Sequence, residues 1–289
     1  MSKHKIYLFL ILANLFWAGN YIFGKFVVVE LSPLQITFSR WAIAVCLLFP
    51  IAHFFEKPSW KTVFGKWRIL LVMGLLGAMG YNLLLYEALH YTTSLNASLV
   101  NAMNPALIAL CAALFLRESV TPSRIIGLLI SFIGVLVVLT NGHLLLIFQT
   151  TYNLGDLIML GAISIWTIYS LLGRKIKSIP PISATAVSAF LGLLVLLPFF
   201  LMTDMKFPLS PNTTIGILYI GIFPSVGSFI FWNSAIREID ASRSGIYMNL
   251  ITVFTAIISV LLGNSINISQ ILGGLLVFAG VFITTLKKT

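Results

Sequence analysis

The polar side chains that could do chemistry in this 289-residue chain lie inside long apolar stretches. Asn14, Trp17, Tyr21 and Lys25 step by 3, 4 and 4 residues, which sets them along one side of a helix. Trp166, Tyr169, Ser170 and Gly173 make a similar stripe, and Ser94, Ala97, Asn101 and Asn104 make a small, polar face ending at Pro105. Tyr81, Asn82 and Tyr86 form a further group. An unpartnered polar group inside a membrane costs several kcal/mol, so these faces must meet each other or a wet cavity. Trp17 and Trp166, each midway along its stretch, either line such a cavity or pack helix against helix. Asn82 and Asn101 either line it or bond between helices.

Charges are few. Arg40 sits seven residues past Pro33, roughly 10 Å along a helix, and its guanidinium needs a partner or a wet cavity. Glu87 is the expected partner. With Lys25 nearby, this would be a charge pair that opening or closing could break, or a static brace between spans. Glu87 lies about 140° around the helix from Asn82, so the two cannot line one surface equally. That weighs against Glu87 as a proton-coupling carboxylate. Asp156 is expected to be an N-cap. His4, His53, His90 and His143 are scattered over loops and stretch ends. No H-E-x-x-H, no Gly-rich phosphate loop and no paired intramembrane carboxylates occur. The expectation is therefore no enzyme, no metal and no cofactor.

The elements that must position these residues follow from composition. Hydrophobic residues make up 59% and charged residues 9%, against about 25% charged in a soluble domain. Such a chain cannot cover itself in water and belongs in a bilayer. A helix needs about 20 mostly apolar residues to cross, and ten spans are expected: 6–28, 33–55, 68–89, 95–116, 122–140, 155–173, 181–202, 213–236, 242–263 and 269–286. Apolar residues do not alternate with period two, which argues against an outer-membrane barrel. Cys46 and Cys111 fall within spans and read as buried small hydrophobes. The first span is too long for a signal-peptide core.

The net charge of +10 is one-sided. Lys57, Lys61, Lys66, Arg117, Arg124, Arg174 and both chain ends share one side, while the other side's loops hold only Lys206. This predicts a multi-pass cell-membrane protein with both termini cytoplasmic. It needs no nucleic-acid partner; the partners expected are lipid and a small-molecule substrate, with a monomer as the unit.

The chain also repeats. Ala88 and Ala235, Gly127 and Gly273, and Gly134 and Gly280 match at offsets of 146 or 147; Pro50 and Pro198 match at 148, and Trp17 and Trp166 at 149. The two repeats run 1–144 and 145–289. Five spans per half forces the second half to insert upside down, a transporter architecture with its site between the halves. Pro105 and Pro224 are expected to bend their helices, and Gly127 and Gly134 to allow close helix contact. Tyr247 falls near the position of Asn101 in the repeat.

Several runs together resemble the EamA-type members of the drug/metabolite transporter superfamily. They are N-L-F-W-A-G-N-Y-I-F-G-K at 14–25, Pro33 followed by Arg40, Y-E-A-L-H-Y-T-T-S-L-N-A-S at 86–98, and Asn104-Pro105 followed by Glu118. The second repeat departs from the pattern at Ile251 and Asn264, where Pro105 and Glu118 would recur. The resemblance implies an all-α membrane protein of ten helices around a central cavity, exporting or exchanging small metabolites such as amino acids. It places Trp17, Tyr81, Asn82, Asn101, Trp166 and Tyr247 at that cavity. Efflux of cationic or amphiphilic compounds and a small-solute channel are the alternatives. Sugar nucleotides would need more basic groups than Arg40 and Lys25.

Overall fold

The computed structural model describes residues 3–92, 97, 100–119, 121–149, 153–205, 207–263 and 267–285, without the side chains of residues 25, 26, 89, 259 and 285. Among the described residues every regular element is helical. In order they are α1 (Lys3–Val27), α2 (Pro33–Glu56), α3 (Trp60–Phe64), α4 (Trp67–Met73) and α5 (Tyr81–Tyr91). Then come α6 (Asn104–Leu116), α7 (Pro122–Leu139), α8 (Leu146–Gln149), α9 (Leu154–Lys175) and α10 (Pro181–Leu201). The last are α11 (Pro211–Ile222), α12 (Phe229–Ile236), α13 (Ala241–Ile246), α14 (Leu250–Leu261) and α15 (Ile268–Thr285). Among the described residues, eight helical stretches are long and apolar enough to cross a membrane, and two shorter apolar helices, 104–116 and 268–284, accompany them.

Local sequence explains the helix starts. Ser32 caps α2 through a capping box with Gln35, and Pro33 fills the first turn where no N–H is needed. At α9 the N-cap is Asn153, not Asp156. Asp156 occupies the third helical position, accepts from the Asn153 N–H at 2.8 Å and completes the box. The correction is one of register: the shorter amide reaches the free N–H of Gly155 at 2.8 Å.

Polarity is arranged inside out. Asn14, Thr37, Ser170 and Ser225 are fully buried, while Leu110, Leu129 and Phe282 are more than half exposed. Water could not account for that pattern; lipid does. Cys46 is accordingly exposed on an outward helix face and Cys111 is half-buried, which corrects the expectation that both are buried.

Two spans contain π-helical turns, Gly74–Gly80 between α4 and α5 and Phe223–Ser228 between α11 and α12. Pro105 does not bend a continuous helix: residues 102 and 103 form a turn and α6 starts at Asn104. The corresponding place in the second half is the 3₁₀ turn Tyr247–Asn249 between α13 and α14. Pro224 lies in the first turn of the second π segment. These interruptions therefore recur about half a chain apart.

Helices pack mainly across the halves: α1 against α11 and α14, α2 against α10, α5 against α9, and α7 against α15. Acidic side chains tie the halves at their ends. Glu56 accepts from the N–H groups of Ile182 and Ser183 at 2.8 and 2.7 Å and so caps α10. At the other end of the bundle Glu30 accepts from the Ser210 N–H and hydroxyl at 3.1 and 2.8 Å. Hydrogen bonding to Thr213 first, and to Ser210, holds the Glu30 carboxyl below the usual carboxylate range. A depressed native value gives stability that is present above the unfolded pKa and lost as pH falls through the native one. Wild-type melting temperature should therefore drop at acid pH more steeply than that of Glu30→Gln; parallel curves would show that Glu30 makes no contribution.

Candidate functional site

A cavity of about 460 Å³ lies between α1, α5 and α14. Its rim carries Val28, Thr92, Asn141 and Gln270, all at helix ends away from the basic loops. Tyr21, Tyr86, Asn101 and Thr252 line its walls. Below it, sharing Asn20, Tyr21, Leu85 and Ile251, is a small chamber of about 30 Å³ that reaches Arg40, Tyr81, Asn82 and Trp166.

Arg40 is placed by the two π turns. Asn82 follows the first; its Nδ2 donates to the Ala78 carbonyl within that turn at 2.9 Å, and this aims Oδ1 at Arg40. Ser225 lies in the second and donates to the Ile220 carbonyl at 2.8 Å, leaving its oxygen lone pairs for Arg40. Arg40 Nη1 then donates to Asn82 Oδ1 at 2.6 Å and Tyr86 Oη at 3.2 Å, and Nε to Ser225 Oγ at 2.8 Å. Tyr86 in turn donates to Asn20 Oδ1 at 3.4 Å. The expected pairing of Arg40 with Glu87 is not formed. Glu87 follows Tyr86 by one residue, about 100° of helix, so with Tyr86 turned to Arg40 it points elsewhere. The side chain of Lys25 lies outside the described residues, as does Ser94.

The chamber's floor is aromatic. Trp17 and Trp166 meet edge to face with ring centres 5.1 Å apart, Trp17 lies 5.6 Å from Trp232, and Trp166 lies 5.6 Å from Phe229. Both of the paired tryptophans thus pack against each other and border the chamber. Tyr81 meets Trp166 at a tilt, ring centres 5.2 Å apart, and its hydroxyl lies 3.5 Å from Asn101 Oδ1. Three of the candidate residues sit apart from the cavity. Asn14 is fully buried and donates to the Leu10 carbonyl at 2.6 Å, Tyr169 accepts from Asn233 Nδ2 at 2.6 Å beneath the floor, and Tyr247 stacks on Tyr7.

Beyond the floor the bundle is closed by ions. Arg174 Nε meets Glu118 at 2.8 Å and its Nη2 meets Asp240 at 3.3 Å; Arg124 pairs with Asp240 and donates to Ser242 Oγ at 3.2 Å. Glu118 also accepts from the Ala241 and Ser242 N–H groups at 3.0 and 3.2 Å, capping α13. Sequence reasoning gave these four residues no role at the site, and it missed Asn20, Ser225 and Asn233 altogether. The repeat held a signal for two of them. Asn20 and Tyr86 bond above the floor, and their repeat counterparts, Tyr169 at an offset of 149 and Asn233 at 147, bond below it. Among the described residues no cluster of His, Cys, Asp or Glu could hold a metal ion.

The cavity of about 460 Å³ thus lies among long apolar helices, with the aromatic floor and the salt-bridged end beneath it. The sequence pattern of the EamA-like transporter family matches residues 4–140 and again 153–286. The chain belongs to the EamA-like transporter family. It is thus a membrane transporter of the drug/metabolite transporter superfamily. An uncharacterized transporter of Bacillus subtilis, YyaM, is 32% identical over 97% of this chain and 93% of its own. An uncharacterized transporter of Archaeoglobus fulgidus is 31% identical over 98% of both chains. A solved crystal structure with 20% identity superposes with a TM-score of 0.82 over 98% of both chains, a likeness of fold alone.

Proposed function

We propose that this EamA-family transporter exports or exchanges small metabolites such as amino acids by alternating access between two inverted five-helix halves. The observation that carries it is the asymmetry of the central path, a cavity open at one end and an aromatic floor with a salt-bridged closure at the other. The recurrence of π turns and helix breaks half a chain apart, and the family pattern matching twice, support the duplication. The eight long spans and two shorter apolar helices are then ten spans. The concentration of Lys and Arg at the latch end assigns that end to the cytoplasm, which makes this the outward-open state. A cavity of about 460 Å³ is in the range of small-molecule sites.

Counterflow of labelled amino acids and of a few cationic drugs into liposomes tests this reading. Saturable counterflow is expected, reduced at least tenfold in Trp17→Ala, because removing a floor ring leaves a void against Trp166 and Trp232 and costs about 3–5 kcal/mol of packing. Non-saturating flux indifferent to Trp17 would instead describe a channel.

A further inference from the structure

We propose that Arg40 holds the carboxylate of the carried solute, so that the cavity selects small organic acids and amino acids over cations. The proposal deepens the transport reading and rests on it. Arg40 is 98% buried, its relative exposure being 2%, and it borders the small chamber beneath the main cavity. A guanidinium offers five N–H donors. Three are used, by Asn82, Tyr86 and Ser225, and all three acceptors are neutral. Nη2, with the other two, makes no hydrogen bond among the described residues.

A second unsatisfied donor borders the same chamber: the buried indole Nε1 of Trp166 has no partner. No acidic side chain lines either the chamber or the cavity among the described residues. The site therefore offers donors in excess and, among the described residues, a desolvated positive charge without a counter-ion. Leaving such a charge unpaired is costly, and pairing it with a carboxylate adds charge-assisted hydrogen bonds. The position fits. A carboxylate at Nη2 would leave the rest of the solute to extend past Tyr21, Leu85 and Ile251 into the larger cavity. An approaching cation would meet a like charge there, which excludes it.

The test compares acids with their own primary amides: acetate with acetamide, leucine with leucinamide, and phenylalanine with phenylalaninamide. Binding is read from melting shifts in detergent and transport from counterflow in liposomes. At least one acid should bind wild type at least about tenfold better than its amide. Arg40→Gln should erase that preference, and Arg40→Lys should keep part of it. The wild-type comparison needs no variant, so it stands even if Arg40→Gln does not fold. Equal binding of acid and amide, or a preference that survives Arg40→Gln, overturns the proposal. Counterflow of a neutral or cationic compound without any acid binding keeps the transporter and overturns the anchor. If no compound binds or is carried, the anchor and the proposed amino acid substrate fall together.

Discussion

Glu118→Ala is expected to unlock the basic end of the bundle and shift the protein toward the opposite access state. The Glu118 side chain is 7% exposed, and it receives Arg174 Nε, the Ser242 hydroxyl and two N–H groups from the first turn of α13. Its loss leaves Arg174 with Asp240 as its remaining carboxylate partner, at 3.3 Å, and uncaps a six-residue helix. Breaking a buried pair costs about 3–5 kcal/mol. Arg174 is 20% exposed and keeps Asp240 as a partner, so the loss is about 2 kcal/mol. That is still roughly a 30-fold change in a two-state equilibrium. In a background with Cys46 and Cys111 replaced, Ser244→Cys reports the change, because Ser244 is fully buried behind the latch. A membrane-impermeant maleimide applied from the basic end should label it much faster once Glu118 is gone. Unchanged labelling together with a lowered melting temperature would make the network a static brace.

The latch also marks where sequence reading stops. The repeat picked out Trp17 and Trp166, and they do touch, edge to face with ring centres 5.1 Å apart. Asn82 and Arg40 were each legible as buried polar groups, but their union was not. It depends on π turns that advance Asn82 and Ser225 beyond the angle an α-helix would give them, and on a contact between residues 185 positions apart. Glu87 looked like the partner because charge is visible in a sequence, whereas the helix face that meets Arg40 is settled by one residue of register. The same limit hid Glu56 and Glu118. Each stands just outside a span, where a carboxylate reads as a solvated end, yet each caps a helix of the other half. Asn14, Tyr169 and Tyr247 share helix faces with cavity residues. Depth along those helices carries them to the closed side of the floor.

Gly134→Ala should cost the protein about 1–3 kcal/mol, whereas Gly161→Ala should stabilise it by about 0.5–1 kcal/mol. Both positions are in helix interiors, where alanine is the better helix former. Space decides the sign. A Cβ on Gly134 would lie 2.7 Å from both the Gly273 carbonyl oxygen and the Val277 nitrogen. These are backbone atoms of α15 and cannot rotate away. At Gly161 the nearest atom is Leu84 Cδ1 at 3.5 Å, an ordinary contact. The contact at Gly134 is reciprocal, and Gly127 against Gly280 repeats it one end further along. In lipid, where no hydrophobic force joins helices, such backbone approach supplies much of the attraction. The pair α7 and α15 is lipid-exposed on its other faces, so nothing else holds it as closely. It also carries Val138, Leu139, Asn141 and Gln270 to the cavity wall. Splaying it by the width of a methyl would therefore widen the site as well as weaken the fold. Melting temperatures of the two variants in detergent, measured beside wild type, check the contrast. Equal shifts would show that the glycine contacts yield.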